Sequence, residues 1–148
     1  METPANALQF QLDWLVLDTK SRAQLRRNDP WEVRGAYTWV GRVKQSSAFD
    51  SVDDARLMRL APLVAEVREN DDDSIGAALA GAGISELRVR RLLASSAGED
   101  VEEQLARVVR LLKRKVNIED LLKTAIFWGD VKRRELARQY FEAQPRSR

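Results

Sequence analysis

Apolar residues recur at the helical period over residues 99–115, where Val101, Leu105, Val108 and Leu112 fall at i, i+4, i+7 and i+11. That spacing places one apolar stripe along one side of a helix, and a helix of that kind must bury the stripe against another element. The same pattern returns near the C-terminus, where Leu136, Ala137, Tyr140 and Phe141 form a seam. No long apolar/polar alternation and no Asn-Gly or Asp-Gly hairpin turn occurs, so the chain lacks the marks of a sheet protein. Only 7 Gly and 4 Pro interrupt 148 residues, which favours many helices joined by short turns.

The expected fold is all-α, a compact bundle of about eight or nine helices. They fall roughly over 5–17, 19–28, 31–45, 51–69, 74–82, 85–96, 99–115, 118–128 and 130–143. Asn117-Ile-Glu-Asp120 has the form of a capping box, and Ser51-Val-Asp-Asp54 is a weaker version. Gly129-Asp130 is expected to end one helix and cap the next, and Gly81, Gly83 and Gly98 mark turns. Pro62 is expected to kink or split the fourth helix. A chain of this length reads as a single domain, 1–148. The run Asn70–Asp73, with three consecutive Asp, is where a link between two helical lobes would fall, which sets a lobe boundary near 70–74.

The chain has no His and no Cys. That removes Ser–His and Cys–His nucleophile pairs, zinc fingers, imidazole-held metals and disulfides. Carboxylate chemistry with Mg²⁺ stays open in principle. Helical metal sites draw on Glu-x-x-His motifs on facing helices, and the chain has no His to complete one. No catalytic residue, metal ligand or cofactor is therefore assigned, and Asp71–Asp73 reads as a solvated turn. The acidic start of the chain lacks the basic n-region of a secretory signal, and no stretch is long and apolar enough to span a bilayer. A cytoplasmic protein is expected.

The net charge of +2 hides a pattern. Residues 1–19 carry −3, residues 20–44 carry +5, residues 45–75 carry −5, residues 76–116 carry +3 and residues 117–148 carry +2. Three blocks hold the base: Lys20, Arg22, Arg26 and Arg27; then Arg88, Arg90 and Arg91; then the run from Arg107 to Arg138. Arg outnumbers Lys 19 to 6, and Arg suits planar, bidentate contact with phosphate. Two readings stand side by side: a face that holds a nucleic-acid backbone, or ordinary solvated helix faces.

Within these blocks Arg22, Arg26 and Arg27 crowd about one turn, where the reading other than nucleic-acid contact is pairing with Asp18, Asp29 or other acids. Arg88 and Arg91 lie one turn apart. Arg107, Arg110 and Arg114 form a row opposite the apolar stripe. Arg134 and Arg138 lie beside Tyr140, where one of them could be structural, stacked on a ring or paired with Glu135 or Glu142. The aromatic residues also divide. Trp14, Trp128, Tyr140 and Phe141 sit on apolar faces and read as core, while Trp31 and Trp39 stay open between core and stacking platform.

Three stretches, taken in order, resemble a known family. The first is Asp18-Thr-Lys-Ser-Arg22-Ala-Gln-Leu-Arg26-Arg27. The second is Ser85-Glu86-Leu-Arg88-Val-Arg90-Arg91-Leu92-Leu93-Ala94-Ser95. The third starts at Gln104-Leu105-Ala-Arg107-Val-Val-Arg110-Leu-Leu and passes Ile118-Glu-Asp-Leu121-Leu and Phe127-Trp128. It ends at Val131-Lys-Arg-Arg134-Glu-Leu-Ala137-Arg138-Gln-Tyr140-Phe141. Together they resemble CasB, the small subunit of the type I-E CRISPR surveillance complex Cascade. The likeness covers residues 14–28 and 76–143, and residues 29–75 match only in helical character. Leu136 departs from the pattern, standing where the family often has Trp.

The resemblance implies an all-helical protein without catalytic activity. It further implies a head-to-tail homodimer within Cascade, between the CasA large subunit and CasE, against the CasC backbone and the crRNA it carries. A basic face would then hold the target and displaced DNA strands while crRNA pairing forms an R-loop in antiviral defence. R-loop formation is nearly balanced in energy, so backbone contacts can tip it. On this reading the candidate nucleic-acid contacts are Lys20, Arg22, Arg26, Arg27, Arg88, Arg91, Arg107, Arg110, Arg114, Arg134 and Arg138. The alternative is a stand-alone helical protein-interaction adaptor or DNA-binding regulator, which the lack of a helix-turn-helix pattern disfavours.

Overall fold

The structure is a computed structural model, and it describes residues 19–144. The expected helix over 5–17 and Trp14 lie outside the described residues. Among the described residues there are eight α-helices, one 3₁₀ turn and two very short strands, an all-α architecture. The chain divides into two compact units between Glu66 and Val67.

The first unit carries α1 (Thr19–Arg27), a 3₁₀ turn (Pro30–Glu32), α2 (Arg34–Val43) and α3 (Asp54–Ala65). Asp29 caps the 3₁₀ turn by accepting from the Trp31 N–H at 3.0 Å, and Pro30 fills the first position, where no N–H is needed. The sequence predicts one helix over 31–45. The extended backbone of Val33 instead separates the 3₁₀ turn from α2. Along α2, Ala36, Trp39, Val40 and Val43 are buried at helical spacing, which makes Trp39 a core residue. The helix expected over 51–69 is shorter at both ends. Its N-cap is Asp53, so the Ser51 capping pattern is not used. Pro62 neither splits nor ends α3, which runs three residues beyond it.

The second unit holds β1 (Glu69–Asn70), α4 (Ile75–Gly81), α5 (Glu86–Leu93), α6 (Glu99–Leu111), β2 (Lys115–Val116), α7 (Ile118–Ile126) and α8 (Asp130–Ala143). The two strands pair in parallel, Glu69 with Lys115 and Asn70 with Val116. The run Asn70–Asp73 follows the division after Glu66 by a few residues. It lies inside this unit, where the Asp71 N–H donates to the Val116 carbonyl and the Asn70 side chain accepts from the Ile118 N–H at 3.0 Å. Ser74, Ser85 and Asn117 cap α4, α5 and α7, accepting from Ala77, Arg88 and Asp120. Gly129, with Asp130 in the first turn, opens α8.

The stripe Val101, Leu105, Val108 and Leu112 is buried, as the spacing requires. The helix itself stops at Leu111 rather than 115, because Lys113 and Arg114 adopt left-handed backbone, with φ of 57° and 65°. That turn carries the chain into β2, and the Arg114 carbonyl accepts from the Arg68 N–H at 2.8 Å. In α8, Leu136 and Tyr140 are buried, and the Tyr140 hydroxyl donates to the Ile84 carbonyl at 2.6 Å. Phe141, expected in the core, is 45% exposed and meets the Tyr140 ring edge to face, with centroids 5.2 Å apart. Trp128 is buried and donates from Nε1 to the Ser95 carbonyl at 2.8 Å.

Candidate nucleic-acid interface

Two neighbouring helices of the second unit bring four of the candidate arginines together. Arg88 and Arg91 lie at i and i+3 on α5, and Arg107 and Arg110 lie at i and i+3 on α6. The link from Ala94 to Gly98 is short, so the two helices pack as neighbours. Their basic rows meet across a groove of about 450 Å³, lined also by Gln104 and by the apolar Leu92, Val108 and Leu111.

All four guanidinium groups are on exposed residues. None of them has an acidic partner among the described residues, although the unit holds several acids. Neighbouring arginines do find partners: Arg90 bonds Glu86 on the far side of α5, and Arg133 bonds Asp130 at 3.3 Å. Four unpaired cations around one depression form a concave positive site, and guanidinium forks suit phosphate oxygens.

The other candidates are placed differently. Lys20 and Arg27 are exposed on α1, Arg26 pairs with Glu66 at 3.8 Å, and Arg22 is half-buried. These four belong to the first unit. Among the described residues the acid that takes Arg26 is Glu66, forty residues on in the chain. The helical period predicts Arg114 on the same row as Arg107 and Arg110. Since α6 ends before it, Arg114 leaves the row, is half-buried and does not line the groove. Arg134 is exposed on α8, whereas Arg138 pairs with Glu142 at 3.1 Å.

The sequence marks Val108 as part of the apolar stripe but does not assign it, Leu92, Leu111 or Gln104 to a nucleic-acid interface. Their signal was available: Leu92 and Val108 lie one residue from Arg91 and Arg107, at the edge where each buried face meets its basic row. Among the described residues no group of three or more Asp or Glu could hold a metal ion. No helix among them is long and apolar enough to cross a membrane.

Three comparisons bear on identity. A family model, CRISPR-associated protein Cse2, matches residues 21–141. A chain in the crystal structure of E. coli Cascade bound to a PAM-containing dsDNA target superimposes with a TM-score of 0.66 at 22% identity. The match covers 92% of this chain and 93% of that one. At that identity the likeness establishes the fold. Comparison with curated proteins finds no match. Since the family match spans most of the chain, including α5, α6 and the four-arginine groove, the protein belongs to the CRISPR-associated Cse2 family, the family also called CasB.

Proposed function

We propose that this protein is a non-catalytic subunit of a type I-E Cascade complex and that it holds the DNA backbone without reading sequence. The observation that carries this reading is the groove in which Arg88, Arg91, Arg107 and Arg110 stand together without an acidic partner among the described residues. A surface cation left unpaired beside three others is held against its own repulsion, and a row of phosphates relieves it. Each phosphate neutralised releases counterions, which gives affinity that is independent of sequence. Guide pairing supplies the sequence recognition in such a complex, so its small subunit needs only to stabilise the opened strands. The family and the fold shared with a chain of a DNA-bound Cascade support this assignment. On this reading the protein works in the cytoplasm as a dimer beside the large, backbone and crRNA-processing subunits.

The test is the double variant Arg107→Glu, Arg110→Glu, assembled into the complex. Target affinity should fall for every matched target alike, and the slope of log affinity against log salt should flatten by about 0.9 for each phosphate that is no longer neutralised. An assembled complex with unchanged affinity and unchanged slope would remove the groove from the mechanism.

A further inference from the structure

Trp31 and Tyr37 form an aromatic pair that is joined by a hydrogen bond and left exposed among the described residues. Each residue is 51% exposed, in contrast to Trp39 at 0% and Trp128 at 7%. Their rings meet edge to face, with centroids 6.1 Å apart and planes at 69°. The Trp31 backbone is fixed at both ends by side chains: its N–H donates to Asp29 at 3.0 Å, and its carbonyl accepts from the Tyr37 hydroxyl at 2.7 Å. A phenol at the surface could bond to water instead, so this bond spends a polar group on holding Trp31 in place. An indole so exposed forgoes the large stabilisation that burial gives an aromatic side chain. The pair is thus pre-organised for something that brings its own flat apolar face.

The surrounding charge selects among occupants. Residues 20–44 carry seven bases against two acids, and one of those acids, Asp29, is engaged in capping. Arg34 lies one helical turn before Tyr37 on α2, and Arg27 ends α1 just before the 3₁₀ turn. Both are exposed, and neither has an acidic partner among the described residues. Flat faces beside unpaired cations match an unstacked base flanked by phosphates, the combination by which single strands are bound without sequence preference. A protein partner would also anchor on an exposed ring, and the assembly readout below separates it from a strand.

We propose that Trp31, supported by Tyr37, is a stacking platform for a base of single-stranded DNA, with Arg27 and Arg34 on the adjoining phosphates. The inference rests on the proposed DNA-holding role and assigns a part of it that phosphate contacts alone do not supply.

The experiment compares two oligonucleotides of equal length, one of thymidines and one of abasic sites, binding to the full chain. Trp31→Ala should weaken the thymidine strand by about 5- to 150-fold and leave the abasic strand unchanged. Trp31→Phe, which keeps a ring, should retain most of the affinity. Arg107→Glu with Arg110→Glu should weaken both strands, because the backbone is common to them. Loss of both strands in Trp31→Ala, or of neither, overturns the platform while leaving the groove intact. Failure of the arginine variant to weaken either strand overturns the groove itself. A Trp31→Ala chain that binds DNA normally but no longer assembles with its partner subunits overturns the platform in favour of a protein contact. Failure of the unaltered chain to prefer thymidines over abasic sites overturns it as well.

Discussion

Asp120 and Lys132 form an ion pair at 2.9 Å with both side chains nearly out of water, at 15% and 12% exposure. The pair is also a junction. The second carboxylate oxygen of Asp120 accepts from the Ile75 N–H at 2.8 Å, at the start of α4, and Lys132 bonds Glu135 at 3.1 Å within α8. One carboxylate therefore ties α7 to the first turns of both α4 and α8.

Removing either partner leaves the other short of a bond in a half-buried site. Asp120→Asn should destabilise the protein by about 1–3 kcal/mol, and Glu135→Gln should do so by less, because Glu135 is 41% exposed and holds no backbone N–H. The pair also sets a pH dependence. Burial alone lowers the Lys132 pKa, but the hydrogen bonds and charges of Asp120 and then Glu135 outweigh it and raise the pKa above 10.5. A base with a raised pKa in the folded state adds stability that is fully present below 10.5 and is lost as the pH rises through the folded value. Denaturant midpoints measured from pH 8 to 12 should fall at the alkaline end in the parent, and fall less in Lys132→Met.

Gly76 is the second residue on which the second unit turns. It opens the close packing of α4 against α8, where an added Cβ would sit 2.6 Å from the Leu136 carbonyl oxygen and 2.7 Å from the Gln139 Cβ. Both neighbours lie on or next to backbone and cannot swing aside. Gly76→Ala should thus destabilise by about 1–3 kcal/mol, despite the better helix propensity of Ala. Gly81→Ala, with nothing within 4 Å of the new Cβ, is the control and should be neutral or slightly stabilising. Thermal melts of the two variants should move apart.

What the sequence disclosed and what it withheld divide along these lines. Periodicity located α6 and α8, because an apolar stripe such as Val101, Leu105, Val108 and Leu112 has only one way to be buried. Side-chain caps at Ser74, Ser85 and Asn117 are local, and the residue type nearly determines them. Helix ends were harder. Nothing in the charge row of Arg107, Arg110 and Arg114 shows that Lys113 and Arg114 leave helical geometry, since the cause is a pairing with β1 over forty residues earlier in the chain. Arg26 found Glu66 and Arg138 found Glu142, and only the second pair sits at a spacing that sequence reveals. The groove was legible as two i, i+3 arginine pairs, but its closure depended on how α5 meets α6.

The left-handed turn offers a gain in stability. Lys113 has φ of 57°, where a Cβ crowds the backbone at about 1–2 kcal/mol, and glycine avoids that at the expense of a more flexible unfolded chain. Lys113 is exposed, so Lys113→Gly should raise stability by about 0.5–1 kcal/mol, read as a higher denaturant midpoint at constant slope. Arg114→Gly should gain less, because Arg114 is half-buried and makes further contacts.

Ion pairing within the protein should grade the arginines as DNA contacts. Arg26 and Arg138 each carry a carboxylate within 4 Å, from Glu66 and Glu142, and that carboxylate repels an approaching phosphate. Arg91 and Arg110 carry none among the described residues and line one groove with Arg88 and Arg107. Single alanine substitutions in the assembled complex should therefore separate into two groups. Arg91→Ala and Arg110→Ala should each weaken target binding and reduce the salt slope by about one. Arg26→Ala and Arg138→Ala should change both quantities by less than half as much, since an arginine already held by its own carboxylate contributes little to a phosphate. Equal effects from all four substitutions would mean that the strand follows net charge and not the groove, and titrations at several salt concentrations distinguish the two outcomes directly.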